Sequence, residues 1–235
     1  MATLVDLSQE IFHKAPVLPS FPATQVLPYL THEEIDGETA TGPVSNCITT
    51  LIMCDHASTH VDAFSHFHAA PARRGDTIDK LPLDLFYTPG ICVNVTGFEP
   101  NELIFVRDVE KGLAADGLEV QRGDTVLLHT GHYRRTFGTP EFIAGWPGIA
   151  AEVVPFLAEK GAVAFGVESL GPGVWGGSNG EVHKLCGHLN ITHYENLANL
   201  EDVVGRGRFR FIAFPLKIRG AAGSPVRAVA VLDEG

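Results

Sequence analysis

The stretch at residues 148–167, GIAAEVVPFLAEKGAVAFGV, reads as a helix running straight into a buried strand. Ile149, Val153, Val154 and Leu157 share one face over Gly148–Lys160, and Gly161 supplies the C-terminal stop. From 162 to 167 (AVAFGV) no polar side chain occurs, as in a strand covered on both faces. Working outward, DTVLLHTGH at 124–132 is a second apolar run, opened by Gly123-Asp124 and closed at Gly131, and it also predicts a buried strand. Residues 107–113 before it suggest a short amphipathic helix ending near Gly117. Beyond it, RFRFIAFPLKI (208–218) and VRAVAVL (226–232) predict two more strands, separated by a Gly-rich turn, RGAAGSP (219–225). Strands and helices alternate in this half, whereas the first half looks mostly extended. The pattern predicts an α/β fold with a mixed β-sheet flanked by helices rather than an all-β barrel. With no linker, repeat or low-complexity tract, residues 1–235 read as a single domain.

Composition narrows the function. A formal net charge of −11 disfavours phosphate backbones and anionic membranes, so neither nucleic acid nor a membrane is expected as a partner. The first residues, MATLVDLSQEIFHKAP, lack a basic region and a long apolar run, and read as mature sequence rather than a targeting peptide. No segment approaches the roughly 18 uninterrupted apolar residues of a membrane span. Cys47, Cys54, Cys92 and Cys186 are scattered without a CxxC pair, and read as four buried free thiols of a cytoplasmic protein.

The chemistry concentrates in CDHASTHVDAFSHFH, residues 54–68. His56, His60, Asp62, His66 and His68 are all even-numbered, so on a strand they project from one face. On a helix Asp62 would point away from His56 and His60, so extended backbone is expected. A straight strand, however, sets His56 and His60 roughly 13 Å apart, too far for two imidazole nitrogens to meet one ion at about 2.0–2.1 Å. A bulge or kink is therefore expected at Ser58-Thr59. Burying several imidazoles with a carboxylate is costly unless a divalent cation compensates, which makes His56, His60 and Asp62 candidate metal ligands. Further donors lie in GEVHKLCGHLNITHYENL, residues 180–197: Glu181, His183, His188, His193 and Glu195. LNITHYE alternates as a strand, with Ile191, His193 and Glu195 on one face, and spacing alone leaves open which histidine joins Glu195.

The segment from His56 to Phe67 resembles the HxGTHxDxPxHF signature of the cyclase family of metal-dependent hydrolases, which includes kynurenine formamidases, isatin hydrolases and trans-dienelactone hydrolases. VDLSQEI, GDTVLLHTGH, HKLCGHLNITHYENLANL and FPLKIRGAAGSPVRAVAV resemble further family segments, in order along nearly the whole chain. The resemblance implies a swivelling β/β/α, cyclase-like fold. It places His56, His60 and Asp62 on the first metal, His66 as proton donor and acceptor, and His183 and Glu195 on a second metal with Asp62 bridging. His188 and His193 do not fall on ligand positions, and His193 is expected to pack locally or touch substrate. Ser58 stands where the family has Gly, Phe64 where it has Pro, and His193 where the formamidases carry an apolar residue. The formamidases' N-terminal Trp has no counterpart in KAPVLPSFPATQ (14–25).

These assignments describe a hydrolase in which a metal-activated water cleaves a small amide, lactam or lactone, with His66 as the proton shuttle. The cofactor implied is a divalent metal, Zn²⁺ or Mn²⁺, with one or two ions per subunit. The partner is a small-molecule substrate, and the family's habit is a homodimer or homotetramer. Phe64 and Phe67 could wall an aromatic substrate, and His132 and Arg134, beyond the strand end at Thr130, could reach a substrate carboxylate. His68 reads as a bystander. A lactone hydrolase is the near alternative and a non-catalytic metal- or ligand-binding protein the distant one. An iron oxygenase triad built from His60 and Asp62 leaves His56, His66 and Glu195 without roles.

Overall fold

The computed structural model describes residues 2–32, 46–67 and 76–232; His68 lies outside them. The strands are β1 (Thr3–Asp6), β2 (Gln25–Leu30), β3 (Ile48–Ile52), β4 (His60–Asp62), β5 (Tyr87–Asn94), β6 (Leu103–Ile104), β7 (Thr125–His129), β8 (Gly148–Ile149), β9 (Ala164–Val167), β10 (Thr192–Glu195), β11 (Phe209–Ile212), β12 (Gly223–Pro225) and β13 (Val229–Leu232). The helices are α1 (Val106–Ala115), α2 (His132–Thr136), α3 (Glu141–Ala144), α4 (Val153–Glu159) and α5 (Asn179–Leu189). Nine strands form one sheet, ordered β1-β13-β11-β5-β7-β9-β10-β4-β12. Strands from both ends of the chain therefore meet in the same sheet.

β5, β7, β9 and β10 run parallel, and the outer pairs are antiparallel, so the sheet is mixed as expected. The central strands are apolar throughout because both faces are covered. Ile91 and Val93 of β5 and Val126 and Leu128 of β7 face Val109 and Leu113 of α1 and Val153, Val154 and Leu157 of α4. Cys92 and Leu127, one residue out of phase, join the opposite core with Leu7, Tyr194, Leu197 and Phe211. Each such aliphatic side chain contributes about 1.5–3 kcal/mol by leaving water.

Several boundaries differ from the sequence reading. The helix expected over Gly148–Lys160 begins only at Val153, because Gly148 and Ile149 pair with Leu103 and Ile104 as β8. A Cβ on Gly148 would meet the Gly173 carbonyl carbon at 2.3 Å, so backbone packing fixes that glycine in the strand. The strand at 124–132 ends at His129, since Gly131 takes a left-handed φ of 71° and opens α2. Part of the expected turn at 219–225 is strand β12, which bonds to β4 along Gly223↔Asp62 and Pro225↔His60. Cys92 and Cys186 are buried free thiols, but Cys47 is exposed and Cys54 half-buried, because their segment lies outside both sheet cores. Among the described residues no helix is long and apolar enough to cross a membrane.

Candidate metal centre

The even-numbered residues do converge, although not along a single strand. Only His60 and Asp62 lie on β4; His56 sits in the preceding turn and His66 ends a 3₁₀ turn, Phe64–His66. Extended backbone throughout was thus too simple, for the reason the spacing itself suggested: a straight strand separates these side chains. The expected kink is present, with Ser58 at φ 57°, in the left-handed region that favours glycine. Thr59 pins it, its hydroxyl accepting from Gln9 N at 2.8 Å and donating to Asn196 O at 2.5 Å. Asn196 Nδ2 also donates to Ser58 O. Ser58→Gly should therefore retain full stability to within about 1 kcal/mol, whereas Ser58→Val should cost about 2 kcal/mol in urea unfolding, since a β-branched residue resists φ > 0.

Three side chains have their outer nitrogen anchored on oxygen, which aims the inner one. His60 Nδ1 donates to Ser58 O and His183 Nδ1 to Asn179 O, at 2.9 and 2.8 Å, while His56 Nδ1 lies 2.9 Å from Asp55 Oδ1. Each Nε2 then turns toward Asp62, whose carboxylate is almost fully buried. Asp62 Oδ1 lies 3.2 Å from His56 Nε2 and 3.5 Å from His60 Nε2; Oδ2 lies 3.6 Å from His66, 3.8 Å from His183 and 3.3 Å from His193. Glu195 completes the cluster from β10, paired with His60 in register: Oε2 is 3.4 Å from His60 Nε2, and Oε1 is 3.6 Å from His183 and 3.1 Å from His193. Gly223 of β12 leaves room for the His56 ring, since a Cβ there would meet its Nε2 at 2.9 Å.

The electrostatics call for positive charge. Burial opposes ionisation of Asp62, yet the neighbouring imidazoles, His193 and His66 foremost, hold it well below the usual carboxylate range. Burial likewise opposes ionisation of Glu195, but the imidazoles of His193 and His60 bring it to about 2. Burial works against charging His56 as well, and Asp62 and Asp55 still raise it to about 9. Four buried atoms, His56 Nε2, His60 Nε2 and both Asp62 oxygens, have no hydrogen-bond partner. A neutral imidazole anchored through Nδ1–H on a carbonyl, as those of His60 and His183 are anchored, presents a lone pair to a carboxylate, and two lone pairs cannot bond each other. A cation between them satisfies both, and the residues fit one. Donor atoms of Asp62, His183, His193 and Glu195, and separately of His56, Asp62 and His66, lie within 4.8 Å of one another.

A cavity of about 230 Å³ opens over this cluster, lined by Leu18, Phe21, Leu170 and Trp175 together with His56, His66 and His183. None of the expected substrate contacts lines it. Phe67 is buried against His193, and Phe64 packs on the same core. His132 is buried, its Nε2 3.1 Å from Phe142 O and its ring stacked on Phe142, and burial holds it down to about 4. Arg134 is 81% exposed, turned toward Glu201 at 3.9 Å. His193 is wholly buried beneath the cluster. His188 has no place in it either. The actual walls come from segments far apart in sequence; the one local hint was Phe21, an aromatic residue in the stretch that lacks a Trp.

A family model described as "Putative cyclase" matches residues 5–174. Kynurenine formamidase of Bacillus thuringiensis (strain Al Hakam) is 32% identical over 182 residues, covering 76% of this chain and 77% of the relative. Isatin hydrolase of Roseibium aggregatum is 26% identical over 197 residues, covering 78% and 74%. Among solved structures, an isatin hydrolase bound to the product analogue thioisatinate superposes with a TM-score of 0.86 at 21% identity, covering 99% of this chain and 93% of that one. Isatin hydrolase A from Ralstonia solanacearum gives 0.84 at 24% identity, covering 99% and 92%. The fold is theirs, and by the family model and the formamidase match the chain belongs to the cyclase family.

Proposed function

We propose that this protein is a divalent-cation-dependent hydrolase of a small linear or cyclic amide. The observation that carries the reading is the set of buried, partnerless donor atoms on His56, His60 and Asp62 beneath an open cavity. The names of the relatives, a formamidase and an isatin hydrolase, support an amide C–N bond as the target. His56, His60 and Asp62 would hold one ion, and His183 and Glu195, with Asp62 bridging, a second; Zn²⁺ and Mn²⁺ both suit these nitrogen and oxygen donors. Bound there, such an ion supplies Lewis acidity and brings the pKa of a coordinated water to about 7.

The chain's own residues supply the rest. His66 Nε2 lies 3.6 Å from Asp62 Oδ2, with 32% of its side chain exposed toward the cavity. Burial holds its imidazole to about 4 against the pull of Asp62, so it is neutral at neutral pH and free to accept a proton. It takes that proton from the attacking water and delivers it to the departing nitrogen. Leu18, Phe21, Leu170 and Trp175 offer an apolar wall to a ring. At about 230 Å³ the cavity is below the range of about 300–1,000 Å³ for drug-sized ligands, which favours a small substrate.

The test is a hydrolysis panel with the Zn²⁺- or Mn²⁺-loaded protein: N-formylkynurenine, isatin, trans-dienelactone and simple lactones. Turnover of an amide or lactam in preference to the lactones is expected; cleavage of lactones alone would overturn the amide assignment. A cytoplasmic location belongs to the same proposal, supported by four free cysteines. So does a homodimer or homotetramer, supported by the exposed Tyr29, Leu51 and Ile52 on the β2–β3 pair. Sedimentation as a monomer would exclude the oligomer.

A further inference from the structure

His193 has no task in a ligand set made of Asp62, His183 and Glu195, yet it is the most constrained ring in the centre. It is wholly buried, so it touches no substrate. Phe67 and Phe165 stack on it at ring-centroid distances of 5.2 and 5.3 Å and interplanar angles of 24° and 22°, which fixes its plane. The β4–β10 register pairs His60 with Glu195 and Val61 with Tyr194, so one further step sets Asp62 opposite His193 on the same face. Its Nε2 accordingly reaches both carboxylates, at 3.1 Å from Glu195 Oε1 and 3.3 Å from Asp62 Oδ2. Those same two oxygens lie 3.6 and 3.8 Å from His183 Nε2, and the two imidazole planes meet at 88°.

These separations can be compared with the demand of an ion. Four donors about 2.0–2.1 Å from a tetrahedral Zn²⁺ sit about 3.3–3.4 Å from one another, the edge of that tetrahedron. The four observed nitrogen–oxygen distances, from 3.1 to 3.8 Å, bracket this edge. We infer that the second cation is held by four protein donors, Asp62 Oδ2, His183 Nε2, His193 Nε2 and Glu195 Oε1, and is closed to substrate. The inference rests on the reading above that the cluster binds divalent ions. It divides the labour between the two positions. Sites with four protein ligands are structural, whereas catalytic sites keep a coordination position open. The open position then belongs to the set of His56, His60 and Asp62, which His66 adjoins, although the cavity borders both positions, through His56 and Asp62 on one and His183 and Glu195 on the other. The competing account is an imidazolium on His193 bridging two carboxylates with no ion.

Chelator-stripped protein titrated with Co²⁺ separates the two accounts, with visible absorption reporting coordination number. The wild type should take two equivalents, one of them giving the intense bands of four-coordinate Co²⁺. In His193→Gln and His193→Leu those bands should vanish, with the first equivalent retained and the second weakened by at least about 100-fold, the upper end of what losing an outer hydrogen-bond partner costs. Two equivalents with wild-type affinity and spectrum in either folded variant would overturn the inference. So would a wild type showing only weak six-coordinate bands, a result that needs no variant to fold. A wild type that takes only one equivalent, bound unchanged in His193→Gln, would remove this inference and leave the hydrolase reading standing. No binding by the wild type would remove both.

Discussion

Asp62→Asn should lose both bound cation and turnover, with kcat/KM down by at least about 10³-fold, about 4 kcal/mol in barrier. Asp62 is the only residue in the centre that faces every histidine there: Oδ1 lies toward His56 and His60, and Oδ2 toward His66, His183 and His193. An amide in its place removes a negative charge and turns an N–H₂ toward at least one imidazole nitrogen. Metal content by mass spectrometry and kcat/KM should fall together. A variant that keeps its full complement of ions and its activity would show that the carboxylate is not a ligand. Asp62 is also buried beside β12 and β10, so circular dichroism of the metal-free variant is needed to separate a lost ligand from a lost fold.

His66→Ala should separate the two properties that Asp62→Asn loses together. Among the described residues, His66 is the one histidine of the 54–68 stretch that lies past β4 and lines the cavity from a 3₁₀ turn. Its ring lies 4.2 Å from that of His56 and 5.6 Å from that of His183, beside both proposed ligand sets. Removing it should lower kcat by about 10²–10⁴-fold, the usual contribution of a positioned general acid–base group, with metal content unchanged and KM little affected. Unchanged turnover would contradict the proton-shuttle role. Loss of an ion instead would make His66 a ligand.

The sequence revealed those elements whose local pattern decides their state. AVAFGV and DTVLLH are strands because an apolar run bounded by glycine has nowhere to go but between two covered faces, and both appear as central strands of the sheet. Strand β12 was hidden in GSP because its pairing comes from β4, some 160 residues earlier, rather than from any propensity of its own. Helix α5 went unread because HKLCGHL offers only a weak apolar stripe, Val182 and Cys186, broken by Gly187. In the centre, the spacing of His56, His60 and Asp62 demanded a bend, and Ser58 provides it. His183 and Glu195 needed the family resemblance, since spacing could not choose among three histidines. The cavity walls were illegible for a different reason: Leu18, Phe21, Leu170 and Trp175 meet only once the sheet has formed. Phe64 and Phe67, their neighbours in sequence to His66, turn into the core instead.

The central claim is that this cluster is a cation site. Calorimetric titration of chelator-stripped protein with Zn²⁺ and Mn²⁺ at neutral pH tests it most directly, because the donors must be deprotonated to bind and proton release accompanies binding. Saturable binding of one or two equivalents, releasing protons from His56, whose imidazole is raised to about 9, and from His193, which Asp62 holds well above the usual imidazole range, is the expected result. No saturable binding of either ion would contradict the claim, and the partnerless atoms of His56, His60 and Asp62 would then need another explanation.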